Sequence, residues 1–140
     1  MTQLLVKPFR QQKEYTCGPA SIRIVLNYYG KKLKEGGIVK IAHASCFEGT
    51  KQVLMSLAFK KLGYKTIVRF PATIKDIESF VRKGVPVIVN YQAWGYGHYS
   101  VAIGFDRTHL LLLDPLKGVR RKIRKDLFAK RWHGSQDGEK

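Results

Sequence analysis

The chain has 140 residues, 44% of them hydrophobic, which suits one domain around one core and excludes disorder along its whole length. Its longest apolar runs, Val85–Val89 and Leu110–Leu113, are too short to cross a bilayer, and Met1–Pro8 lacks the features of a secretion signal, so a cytoplasmic location is expected. Two cysteines, Cys17 and Cys46, exclude a disulfide framework, while 26 Lys+Arg against 10 Asp+Glu give a net charge of +16 that would attract nucleic acid, anionic membrane or acidic peptide alike.

Taken in chain order, Cys17 to Tyr29 reads as a helix: Ile22, Val25, Leu26 and Tyr29 recur at helical spacing, Pro19 suits the first turn and Gly30 the stop. Lys34 to Ala44 is a weaker helix, because Gly36-Gly37 costs stability at its front. Thr50 caps the next one, with Val53, Leu54, Leu57, Ala58 and Leu62 as the buried stripe and Gly63 at its end. Lys65 to Phe70 reads as a strand. Thr73 with Asp76 resembles a capping box that opens a helix with Ile74, Ile77, Phe80 and Val81 inward and Gly84 terminating it.

From Val85 the pattern changes to strands. Val85–Tyr91, His98–Phe105, Leu110–Asp114 and Val119–Ile123 are separated by turn-forming groups at Trp94–Gly97, Asp106–Thr108 and Pro115–Gly118. A short helix over Lys125–Trp132 follows, with a frayed tail beyond it. Helices first and an antiparallel meander second make an α+β domain of residues 1–140 with its core at about 8–132, and no internal boundary.

Within this layout an amide, a thiol, an imidazole and a carboxylate occur in the order of a cysteine-nucleophile acyl-transfer site. Cys17 lies where a helix begins, and there unpaired backbone N–H groups and the helix dipole favour a thiolate. His98 follows the turn Trp94-Gly95-Tyr96-Gly97, and Asp114 ends the leucine strand. If the two strands pair around Gly104–Thr108, His98 and Asp114 stand directly opposite each other, close enough for the carboxylate to orient the ring. A tight turn at Asp106-Arg107 would instead separate them onto opposite faces. Gln11, or its neighbour Gln12, would hold the oxyanion together with the backbone N–H of Cys17. Trp94, Gly97 and Tyr99, flanking His98, are the candidate substrate-binding residues.

The ordered set Gln11, Cys17-Gly18-Pro19-Ala20-Ser21, Tyr28-Tyr29-Gly30, Gly49-Thr50, Leu62-Gly63-Tyr64, Gly97-His98-Tyr99-Ser100-Val101 and Asp114-Pro115 resembles the bacteriocin-processing cysteine peptidases. The resemblance spans about Pro8 to Trp132. It implies a papain-like fold and the activity of the peptidase domains of peptide-exporting ABC transporters, which remove leader peptides after a double glycine. It also assigns the roles: Cys17 as nucleophile, His98 as general base and acid, Asp114 as orienting carboxylate, Gln11 as oxyanion donor. A leader peptide and an exporting transporter are the partners it implies, and no cofactor is called for.

The remaining candidates carry less. His43 and Cys46 have a spacing that a metal site uses, but no second ligand pair accompanies them, and Cys46 reads as a small core residue. His109 and His133 read as turn and tail residues. The basic stretch Lys117–Arg131 reads as a solvated face, with an acidic leader helix or a nucleic-acid backbone as the other readings; its aromatic residues are too few for base stacking. On the residues alone a leader-binding module without catalysis also stands open, as do deamidation and transpeptidation by the same acyl-enzyme.

Overall fold

The period-two alternation of the C-terminal half closes into a single antiparallel sheet. The computed structural model describes residues 1–43, 52–69, 72–93 and 96–133. The sheet contains β1 (Thr2–Gln3), β2 (Val87–Ala93), β3 (Tyr96–Phe105), β4 (His109–Asp114) and β5 (Val119–Arg124). β3 is the shared strand: it pairs with β1 and β2 along one edge and with β4 along the other, and β5 follows β4. The helices are α1 (Cys17–Tyr28), α2 (Glu35–Ala42), α3 (Gln52–Lys61), α4 (Ile74–Arg82) and α5 (Lys125–His133).

Both faces of the sheet are covered. Ile24 and Val25 of α1, with Val6, pack on Val101, Ile103, Leu111 and Leu113. Ile77 and Val81 of α4 and Phe128 and Trp132 of α5 pack on Val89, Tyr91, Ala102, Leu110 and Leu112. This two-sided burial explains why the leucines of β4 run uninterrupted instead of alternating with polar residues. α2 and α3 add a further layer on α1 through Ile22, Leu26, Ile38, Ala42, Met55 and Ala58.

The α4 capping box forms as expected, with Asp76 N–H donating to Thr73 Oγ1 and Thr73 N–H donating to the Asp76 carboxylate. Gly30, Gly63 and Gly84 take positive φ and end their helices. Two expectations need correction. Lys65 to Arg69 forms no strand: it meets no strand partner, and Ile67 and Val68 are exposed. In α3 the buried residues are Met55 and Ala58, whereas Val53 and Leu57 face solvent, because α3 rests mainly on α1 and α2. The N-terminal strand β1 was not anticipated; two residues are too short to carry a period. Thr50, Cys46, Trp94 and the tail after His133 lie outside the described residues.

One irregularity decides the site. β3 and β4 pair Phe105 with Leu110 and Gly104 with Leu111, then skip Ile103 and resume at Ala102 with Leu112. Ile103 is the extra residue of a β-bulge, and its carbonyl is used by the N–H of Leu4. The adjoining Gly104 is required by close approach: a β-carbon there would lie 2.7 Å from the carbonyl oxygen of Thr2.

Candidate active site

Cys17 is the first residue of α1 and is half-buried. Thr16, at the cap position, turns its hydroxyl backward: Oγ1 accepts from Lys13 N–H (3.0 Å) and donates to Lys13 O (2.8 Å). The first turn of α1 therefore carries no side-chain cap, and the dipole's positive end is presented where the sulfur sits.

His98 lies 3% exposed near the start of β3 and Asp114 2% exposed at the end of β4. The ring Nε2 is 2.8 Å from Asp114 Oδ1, and the side chain of Cys17 is also hydrogen-bonded to His98. With Nε2 engaged by the carboxylate, Nδ1 is the nitrogen left for sulfur. The expected register is corrected here: the two residues are not directly opposed. β3 and β4 pair Val101 with Leu113, so His98 and Asp114 stand on a diagonal, two positions apart on one face. The turn is tighter than anticipated, with Asp106 N–H donating to His109 O, and would by itself put them on opposite faces. The bulge at Ile103 restores the parity.

The electrostatics follow from burial and partners. Burial disfavours the imidazolium, but the Asp114 acceptor and the adjacent Cys17 outweigh it and raise His98 from 6.5 to about 9. Burial likewise opposes ionisation of Asp114, yet bonds from His98, Arg121 and the Leu116 N–H carry it down to about 2. Tyr91, paired with His98 on β2, sets its ring edge-on to the imidazole at 6.0 Å between centroids.

Gln11 is buried and Gln12 exposed, which separates two residues that spacing alone left equal. The Gln11 backbone N–H donates to Pro115 O at 2.7 Å, fastening this segment to the turn after Asp114. Buried Glu35 of α2 steadies the same segment by accepting Gln12 N–H at 2.9 Å. The Gln11 amide nitrogen donates to Lys13 O (2.8 Å) and Glu14 O (3.2 Å), and its oxygen is buried without a partner. Both amide protons are thus engaged within the loop.

Of the candidate substrate-binding residues, Gly97 is exposed, with the Asn90 side chain 3.3 Å from where a β-carbon would stand. Tyr99 is 7% exposed and belongs to the core beside Ile22 and Leu26; burial and, secondarily, Cys17 hold its phenol well above the usual range. Tyr99 also borders a groove of about 460 Å³ lined by Tyr29, Phe59, Val68, Phe80 and Ile88. Sequence reasoning missed Arg121, whose Nη1 donates to Asp114 Oδ2 at 2.8 Å. It sits in a run of basic residues, and only the strand register distinguishes it.

A thiol at a helix start, joined through an imidazole to a carboxylate on an adjoining antiparallel sheet, defines the class of papain-like cysteine-peptidase folds. Residues 3–138 match the model of the Peptidase_C39 like family, and the chain belongs to that family. It is 30% identical over 131 residues to the lactococcin-G-processing and transport ATP-binding protein LagD of Lactococcus lactis subsp. lactis, covering 89% of this chain but only 17% of LagD. A protein of Methanothermobacter marburgensis is also 30% identical, over 90% of this chain and 82% of its own length. The peptidase domain of Streptococcus ComA, a bifunctional ABC transporter of a quorum-sensing pathway, superposes with a TM-score of 0.75 at 26% identity, covering 91% of this chain and 93% of that domain. A double glycine motif protease solved with its leader peptide shares the fold, with a TM-score of 0.77 at 24% identity, covering 94% of this chain and 89% of that one. Among the described residues no helix is long and apolar enough to cross a membrane.

Proposed function

We propose that the chain is a cysteine endopeptidase that removes a leader peptide after a small-residue site of the Gly-Gly type, through a thioester on Cys17. The hydrogen-bonded series Cys17–His98–Asp114 carries this reading. His98 holds the proton that the thiol gives up, and the sulfur attacks the scissile carbonyl carbon. The oxyanion that forms meets the backbone N–H of Cys17 and the Gln11 amide, which must release its longer bond, 3.2 Å to Glu14, to donate there. As the tetrahedral intermediate collapses, the C–N bond breaks and His98 gives its proton to the departing amine. Water, deprotonated by His98, then attacks the thioester, and the acid product leaves as sulfur regains its proton.

The apolar groove bordered by Tyr99 suits the side chains of an extended or helical peptide. The likeness to LagD and to the ComA peptidase domain supports leader removal as the task, with a peptide exporter as the partner. The engaged amide of Gln11 is the observation that favours the other reading, a module that binds a leader without cutting it.

Incubation with a synthetic double-glycine leader peptide, followed by mass spectrometry, decides between them. Cleavage that disappears in Cys17→Ala and persists in Cys46→Ala is expected. Intact peptide bound with measurable affinity would replace the peptidase by the binding module.

A further inference from the structure

We propose that Arg121 is a positioning residue of this site: its guanidinium fixes the Asp114 carboxylate so that Oδ1 points at His98 Nε2. The inference rests on the peptidase reading, and it begins from register. β4 and β5 pair Asp114 with Val119 and Leu112 with Arg121, which puts Arg121 on the Asp114 face, one diagonal step away. A long side chain spans that diagonal, and Nη1 reaches Oδ2 at 2.8 Å.

The two oxygens of the carboxylate are divided between different partners. Oδ1 accepts from His98 Nε2 (2.8 Å) and from Leu116 N–H (2.9 Å). Oδ2 is held by Arg121. One oxygen is therefore directed at the imidazole while the other is tied down by a fixed charge. Without Arg121 a buried carboxylate oxygen loses its charged partner, and the carboxylate can rotate about its own bond away from the ring. Its neighbours on β5 are engaged elsewhere, because alternation sends them to the other face. Arg120 Nη2 donates to Val6 O at 2.9 Å, and Lys122 Nζ lies 3.9 Å from Asp106.

Among the described residues, other charged or titratable groups face the pair from several elements. Cys17 of α1 and Tyr99 of β3 are on the sulfur side, and Tyr91 of β2 lies against the ring. Arg131 of α5 is close enough to act on Tyr91, as are Asp114 and Arg121. The guanidinium is one of the groups holding Asp114 at about 2. Loss of that cation must raise the carboxyl's midpoint, since the ionised form alone gains from it.

The test compares Arg121→Met, Arg121→Lys and, as control, Lys122→Met, each checked by thermal melting. In Arg121→Met the Asp114 carboxyl, followed by carbon-13 NMR, should titrate higher than in the parent chain. Peptide turnover should fall about tenfold to a hundredfold with KM within about twofold, the scale on which outer partners of a reactive group act. Arg121→Lys should keep the Asp114 midpoint low but recover only part of the turnover, because a point charge does not reproduce the guanidinium's planar geometry. An unmoved midpoint, parent-like turnover, or an equal loss in Lys122→Met would overturn the proposal. If Arg121→Met does not fold, Arg121→Lys decides: parent-like turnover rejects the geometric role, reduced turnover with a low midpoint supports it. The NMR arm needs no substrate, so a parent chain that cuts nothing refutes the peptidase reading while this test still stands.

Discussion

Replacing Asp114 by Asn isolates the charge that sustains the His98 imidazolium. The gap between an ordinary imidazole at 6.5 and about 9 here corresponds to about 3 kcal/mol of preference for the protonated ring. Burial works against that preference, so the interactions with Asp114 and Cys17 must supply more than the net figure. Asn retains an acceptor for Nε2 but no charge, leaving burial less opposed, and the His98 midpoint should fall. At pH 7.5 the imidazolium of the parent chain stands at about 30:1 in excess, and each pH unit of fall divides that ratio by about ten. Arg121, with a side chain one-third exposed, keeps water as an alternative partner, so the fold should survive. Nitrogen-15 NMR of labelled histidine reads the midpoint directly. An unmoved His98 midpoint would refute the coupling that the hydrogen bond implies.

Gln11→Ala should lower turnover by about 10²–10³ with little change in KM, as removal of an oxyanion donor does, and steady-state kinetics on a leader peptide would check it. Stability should follow the pair's titration. The raised midpoint of His98 contributes fully below about 6.5 and is lost as pH climbs through about 9; the lowered one of Asp114 contributes above about 4 and is lost as pH falls through about 2. Melting temperatures should accordingly be highest between those limits, and Asp114→Asn should flatten both flanks. Gly104→Ala should cost about 1–3 kcal/mol in a denaturant titration and speed hydrogen exchange at Leu4, because the new methyl meets the Thr2 carbonyl.

The helices and most strands were legible because their signals are local. Gly30, Gly63 and Gly84 stop helices, Thr73 and Asp76 start one, and β-rich runs end at turn residues. The strand expected at Lys65–Phe70 has β-forming residues, but between Lys65 and Arg69 no neighbouring strand pairs with them, and pairing is what makes a strand. The α3 stripe was misplaced for a related reason: periodicity gives a helix an apolar side, but its neighbours decide which residues that side buries.

The types of reactive group and their order along the chain belong to the sequence: a thiol where a helix begins, an imidazole after a glycine-rich turn, a carboxylate before proline. Their convergence does not, because strand alternation has period two and a shift of one residue sends a side chain to the other face. The turn at Asp106–His109 would have parted His98 from Asp114, and the single extra residue at Ile103 brings them back to one side. That same register distinguishes Arg121 from the basic residues beside it. Only long-range pairing fixes such counts, since each depends on what lies across the sheet.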